Sequence, residues 1–193
     1  MCGSRRRAHP FRALLHRADV NAIADIRSSP FSRHTPHFSQ RELKQWLKDE
    51  GIAYVFLGKE LGGRPTSSTL YRNGIADYDA MAKTSEFATG IERLTKGTND
   101  HRIAMMCSEH DPLDCHRCLL VARHLAEKGV KVGHILSTGQ IVLHDQIEER
   151  LLKLEGLAAD DFFHPRVERL AAAYRQRNMK VAFVETQPAA SSG

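Results

Sequence analysis

The sequence predicts an α/β protein: a three-layer open, mostly parallel sheet with helices on both faces. Apolar, strand-like runs at 19–27, 52–57 and 101–107 alternate with amphipathic helical segments, the order that builds a sheet covered by helices. Size agrees, because 193 residues with 41% hydrophobic and 26% charged side chains suit one core with extra elements and would cramp two full domains.

Taken in order, Pro10 to Ala18 reads as a short helix with Phe11, Leu14 and Leu15 on its apolar side. Asp19 to Arg27 is a buried strand whose carboxyl end delivers Asp25 and Arg27, and Ser28-Ser29-Pro30 stops it. Pro30 and Pro36 make 31–38 a loop, since each biases its predecessor away from helix. Ser39 and Glu42 have capping-box spacing for a helix from Gln40 to Asp49, with Leu43, Trp46 and Leu47 on one side. Ile52 to Leu57 is the second strand. Gly58 to Pro65 reads as a loop in which Gly62 and Gly63 adopt conformations other residues resist, without the glycine spacing of a phosphate loop.

Residues 67–74 read as irregular, 75–96 as a helix interrupted near Ser85, and His101 to Cys107 as a strand. A turn at 108–114 leads into a helix from Cys115 to Lys128, ended by Gly129. Val130 to Ile135 and Ile141 to Leu143 add strand material before a helix from Asp145 to Leu154. The last helix runs from Pro165 to Arg177, with Val167, Leu170, Ala171 and Tyr174 as its stripe, and 182–184 is a small edge strand. The chain so divides into a variable basic N-terminus (1–10), an α/β domain (11–155), a helical extension with an edge strand (156–186) and a flexible tail (187–193). The expected core includes Ile23, Ile26, Trp46, Val55, Ile103, Met105, Leu119, Ala122 and Val132.

Charge is regional: residues 1–64 hold twelve Lys or Arg against six Asp or Glu, whereas the remainder is close to balance. Such a field attracts anions and phosphate backbones; its other reading is a frayed terminus and solvated helix faces. No apolar run approaches the roughly 20 residues that cross a bilayer, and Arg5-Arg6-Arg7 leads into His9 and Pro10 instead of an apolar signal stretch. The cytoplasm is the expected location, with no membrane partner.

Three of the four cysteines, Cys107, Cys115 and Cys118, fall within twelve residues, so thiol chemistry, a metal or burial competes with a disulfide framework. The segment Cys107-Ser-Glu-His-Asp-Pro-Leu-Asp-Cys-His-Arg117 follows a predicted strand, where active sites of open α/β sheets collect. Asp114 as N-cap would set Cys115, His116 and Arg117 in a first helical turn, whose free amides bind an anion or stabilise a thiolate. Cys107 or Cys115 supplies the thiol and Glu109 or His116 handles protons, while Cys118 serves as a small core residue. The donor spacing lacks the separated pairs of structural zinc sites, and the expectation is no metal and no cofactor.

Asp25 and Arg27 share one side of their strand, so Arg27 either clamps an anionic substrate or is locked by Asp25. Glu60 and Arg64 flank Gly62-Gly63, and Tyr71, Arg72, Asp77 and Tyr78 form a polar-aromatic segment. Converging on one cleft with Arg117, these groups would bind a base and its charge. The expected function is a thiol-assisted enzyme acting on an anionic small molecule, nucleotide or nucleic acid component. The alternative is a nucleic-acid-binding or regulatory module with structural or redox-responsive cysteines, Cys107 and Cys115 pairing if their Cα atoms come within about 7 Å. A second copy of the chain is a further candidate partner.

These blocks resemble the bacterial and archaeal family catalogued as domain of unknown function 488. The likeness rests on Asp25-Ile-Arg27 with Ser-Ser-Pro30, Phe38, Glu60-Leu-Gly-Gly-Arg64, Tyr71-Arg72 with Gly74 and Asp77-Tyr78, and above all Met106 to Arg117, and spans roughly residues 11–155. It implies an α/β domain with a polar cleft assembled from these motifs, and no established reaction. Members usually open with a strand ending in a Thr-Ile-Gly-His-Ser-like motif, where this chain has Met1-Cys-Gly-Ser4 before its arginine run.

Overall fold

Helix α1 (His9–Arg17) leads into strand β1 (Ala22–Asp25), followed by α2 (Gln40–Asp49) and β2 (Ala53–Phe56). A short helix α3 (Gly58–Leu61), strands β3 (Tyr71–Arg72) and β4 (Ile75–Ala76), and helices α4 (Tyr78–Met81) and α5 (Ser85–Gly97) precede β5 (Ile103–Met106). The chain continues through a π-helical turn (Arg117–Ala122) into α6 (Arg123–Glu127), then β6 (Gly133–Ile135), β7 (Ile141–Leu143), α7 (His144–Leu154) and α8 (Arg166–Val181). This computed structural model describes residues 9–159 and 163–185. The predicted basic segment up to residue 8 and the tail at 187–193 lie outside the described residues.

The protein is a mixed α/β structure around a parallel sheet ordered β2-β1-β5. Successive strand residues face opposite sides, and β1 uses both. Ile23 packs with Leu15 and Ala18, with Leu43 and Leu47 of α2, and with Ile52. Ala24 joins Leu61, Phe87, Ile91, Leu119, Leu151 and Tyr174 in the larger cluster. Fully burying a leucine or isoleucine contributes about 1.5–3 kcal/mol, so apolar packing is what holds these helices to the sheet. Of the expected core, Ile23, Ile26, Leu119 and Ala122 are buried, while Trp46, Val55, Ile103, Met105 and Val132 are only partly covered. The sheet is narrow, and β2 and β5 are its two edges.

Several local expectations are corrected. The capping box at Ser39 does not form: its Oγ accepts the Ser32 amide at 3.2 Å, tying down the preceding loop, while Glu42 pairs with Arg41. Gly58–Leu61 is helical, and Gly62 has an ordinary φ of −69°. The reason for glycine there is space, because a Cβ on Gly62 would lie 2.3 Å from the Gly58 carbonyl and 2.4 Å from Ser28 Oγ. Residues 71–76 form a hairpin whose turn, Asn73 (φ 53°) and Gly74 (φ 75°), has the positive φ pair of a type I′ turn. The Asn-Gly dipeptide was a legible signal for it.

Strands β6 and β7 pair antiparallel with each other and stay outside the parallel sheet, which is why that sheet stops at three strands. On α8 the buried residues are Arg169, Leu170, Ala173 and Tyr174, and Val167 faces outward. Beyond it the chain bonds to the β3–β4 hairpin, with Ala76 N–H donating to the Phe183 carbonyl at 2.9 Å and an isolated bridge between Ile75 and Val184.

Candidate active site

β1 aligns Asp25 with Phe56 on β2 and with Met106 on β5. Arg27 and Cys107 therefore leave neighbouring strands at the same end. The Ile26 amide, donating to the Met106 carbonyl at 3.1 Å, extends that alignment by one residue. After Cys107 the chain turns back because the Asp111 carboxylate accepts the Leu113 amide at 2.8 Å and initiates a 3-10 turn over Pro112–Asp114.

The expected cap, Asp114, instead ends this turn and is ion-paired with Arg177 of α8. Capping falls to Cys115, whose backbone is extended (φ −132°, ψ 133°) and whose sulfur accepts the Arg117 amide at 3.3 Å. The following helix opens as a π turn, a widened form that recurs at functional sites. His116, its first residue, swings back over the end of β1.

Four predicted residues meet there. Cys107 Sγ donates to Glu109 Oε2 at 2.7 Å, and Cys115 Sγ donates to the same oxygen at 3.2 Å. Cys107 Sγ is also 3.4 Å from His116 Nδ1. His116 Nε2 lies 3.0 Å from the Ile26 carbonyl, which can only accept, so Nε2 carries a proton and the neutral ring turns a basic Nδ1 toward the thiol. All four donor atoms fall within 4.8 Å of one another, close enough to close on a single metal ion. Cys115 and His116 are buried, and Cys107 is partly exposed.

The electrostatics are mutually dependent. The adjacent Cys115 thiol and burial push the Cys107 thiol well above its ordinary value, against the lowering effect of His116. Burial works against charge on His116, but its contact with Cys107, the Ile26 carbonyl and the nearby Glu109 reverse that and raise it. Glu109 is penalised by burial, yet the two thiol hydrogen bonds outweigh this and hold it low. The resting site is thus a carboxylate accepting two thiol protons. Cys118 belongs elsewhere, and burial pushes its thiol up to about 12.

A pocket of ≈ 260 Å³ opens beside Cys107, lined by Arg27, Ser28, Arg64, Tyr78, Glu109 and His116 among others. Arg27 is 6% exposed and heavily committed: Nε and Nη2 bond Asp25 at 2.8 and 2.6 Å, and Nη1 bonds the Phe38 carbonyl at 2.9 Å. Its locking role is the one visible. Arg64 is exposed, rests over the Phe183 ring at 4.7 Å, and is anchored by its amide to Ser28 Oγ at 3.0 Å. Tyr78 is buried against the centre, its phenol raised chiefly by burial and further by the neighbouring Cys115, Cys107 and Glu109.

The other predicted residues lie apart from this pocket. Glu60 pairs with Arg93 of α5, and the Tyr71 hydroxyl donates to the Pro65 carbonyl at 2.7 Å. Arg117, expected in the same opening as Arg27, lines a different pocket with His134, because two positions past Cys115 it sits on the opposite side of the helix.

Sequence reading missed Tyr54, whose hydroxyl donates to Asp25 at 2.8 Å. It also missed Phe183 and Asn178: Asn178 accepts the Tyr78 amide at 2.9 Å and donates to the Ala76 carbonyl at 2.8 Å, pinning α8 to the pocket wall. No local pattern announces contacts across a hundred residues.

Gly63 packs directly against the histidine. A Cβ at this position would lie 2.8 Å from His116 Cγ and 2.9 Å from Nδ1. Gly63→Ala is therefore expected to displace the ring, cost about 1–3 kcal/mol of stability, and change the alkylation rate of Cys107 severalfold. Urea unfolding and timed alkylation with mass-spectrometric readout check both effects.

Fold and site define the chain as a mixed α/β protein with a cysteine–histidine centre at the carboxyl end of a parallel sheet. The family model described as "Domain of unknown function DUF488" matches residues 7–124, more than half of the sequence, and the chain belongs to that family. No curated protein and no solved structure matches it. The distal wall of the pocket, Val181 and Phe183, lies beyond the matched segment.

Proposed function

We propose that this centre performs thiol-assisted group transfer on a small anionic substrate, or on the anionic end of a nucleotide or nucleic acid component. The carrying observation is the Cys107–His116 contact at 3.4 Å, with the far imidazole nitrogen fixed at 3.0 Å to the Ile26 carbonyl. A base oriented by a third group beside a thiol is the arrangement that activates a nucleophile. In the reaction His116 Nδ1 takes the Cys107 proton, and the thiolate attacks the substrate's electrophilic atom. A sulfur bond forms as the leaving group's bond breaks, and the imidazolium returns the proton to the leaving group. Glu109 holds the thiol protonated until substrate displaces that contact. Arg64 supplies the exposed cation at the pocket, while Arg27 keeps the strand end rigid. A pocket of ≈ 260 Å³ falls just below the usual range for drug-sized ligands, which favours a compact anion or the reacting end of a larger one.

A second reading, a metal centre, is favoured by the 4.8 Å spread of the four donors. The two are separated by native mass spectrometry with elemental analysis, run beside a substrate screen and timed alkylation. The expected result is conversion of an anionic substrate that is lost in Cys107→Ser and in His116→Gln, each with its fold intact by circular dichroism. Stoichiometric metal lost in Cys115→Ala establishes the metal reading instead. Salt-dependent oligonucleotide binding unaffected by alkylation favours a nucleic-acid-binding module.

A further inference from the structure

We propose that Cys118, His134 and His144 form a second, separate site that binds one zinc ion and staples the β6–β7 hairpin to the helical core. The three residues come from the π turn, β6 and the first position of α7. All are buried, and their donor atoms lie within 4.8 Å of one another. His134 Nε2 and His144 Nδ1 face each other at 3.0 Å, near the roughly 3.3 Å edge of a tetrahedron with zinc–nitrogen bonds of about 2.0–2.1 Å. One thiolate with two imidazoles is a borderline-soft set suited to zinc, with the fourth position left to water.

The surroundings fix the direction of one ligand. The Tyr174 hydroxyl is 3.1 Å from both His144 Nε2 and Glu148 Oε1. Glu148 accepts the phenol proton, so the phenol oxygen accepts from His144 Nε2–H, leaving Nδ1 with a free lone pair aimed at the cluster. Such an imidazole–phenol–carboxylate chain is how ligating histidines are oriented. In the metal-free protein His134 Nε2–H donates to that lone pair. On binding, this proton moves to His134 Nδ1 and the Cys118 thiol loses its own, releasing one proton per zinc. His134 and Arg117 also line a pocket of ≈ 640 Å³, which provides an entry path.

A staple has a physical task here. Among the described residues the β6–β7 hairpin has three residues per strand and pairs with no further strand, and two-stranded hairpins are marginal alone. Cys118 lies inside the segment matched by the family model, and His134 and His144 lie beyond it.

The test loads the full chain with zinc alone, and in parallel with cobalt(II) alone, in wild type, in Cys107→Ser/Cys115→Ser, and in that double variant with His134→Asn added. Metal content is read after gel filtration. One zinc retained by the double variant is expected, with a thiolate-to-cobalt charge-transfer band, protection of Cys118 from alkylation and a raised Tm. His134→Asn should lose that zinc and that band. If His134→Asn fails to fold, Cys118 protection in the double variant decides alone. A double variant that holds no zinc, or zinc at Cys118-independent positions that survives His134→Asn, overturns the proposal. The first of these outcomes leaves the Cys107 reading standing, because that site is absent from the double variant.

Discussion

Asp25→Ala is expected to destabilise the protein by about 3–5 kcal/mol, the usual consequence of leaving one member of a buried ion pair uncompensated. Asp25 is fully buried at the end of β1 and accepts four hydrogen bonds: the Arg27 amide at 3.2 Å, Arg27 Nε at 2.8 Å, Arg27 Nη2 at 2.6 Å and the Tyr54 hydroxyl at 2.8 Å. Removing the carboxylate orphans all four donors and leaves the guanidinium charge almost out of water. At about 2–4 °C per kcal/mol for a chain of this size, the fall in Tm is about 6–20 °C. Urea unfolding of the single variants and of Asp25→Leu/Arg27→Leu measures the coupling. The double variant should recover much of the loss, since removing both charges ends the desolvation penalty. A single-variant loss below about 1 kcal/mol shows the pair to be hydrated, and then Arg27 is free to bind an anion after all.

That ion pair also bears on the chemistry. The residue between its partners, Ile26, presents the carbonyl that orients His116. The strand end that carries Asp25 and Arg27 is thus the same piece of backbone that fixes the catalytic base.

Such couplings mark where sequence reading succeeds and where it stops. Strand ends and helix faces were legible from local pattern, because apolar periodicity is a short-range property. The Cys107 to His116 grouping was legible because its members lie within ten residues and a turn was evident between them. Arg117 was misplaced because residues two apart on a helix face roughly opposite sides, so it lines a pocket other than the one beside Cys107. Gly62 and Gly63 were read as conformational glycines although their role is close approach, which depends on Ser28 and His116 arriving from elsewhere in the chain. The Cys118–His134–His144 cluster was invisible for a similar reason: its members belong to three elements, and Cys118 by itself reads as a small core residue.

Glu109→Gln is expected to make Cys107 more reactive. In the wild type Cys107 donates to the Glu109 carboxylate at 2.7 Å, and its pKa lies well above the ordinary 9.0, so the thiol predominates at neutral pH and alkylation keeps accelerating as pH rises past 9. A neutral amide removes a negative charge from beside the nascent thiolate, lowering the thiol pKa by about 1–3 units. Part of that gain is offset, because a less basic thiolate is a weaker nucleophile, with a Brønsted coefficient of about 0.4–0.5. The net acceleration at a pH below both thiol pKa values is about 3- to 60-fold, read at Cys107 by mass spectrometry. Stability should respond with the opposite sense on two limbs. Glu109 is held below its ordinary 4.5, so its contribution is present above that pH and lost as pH falls through the folded value. His116 is held above 6.5, so its contribution is complete below 6.5 and lost as pH rises through the folded value. The centre therefore stabilises the fold most between about 4.5 and 6.5, and Glu109→Gln should flatten the acid limb of a urea-midpoint profile while weakening the alkaline one. Alkylation that is unchanged or slower in Glu109→Gln shows that the carboxylate does not hold the thiol proton, and assigns resting control of Cys107 to Cys115 and burial.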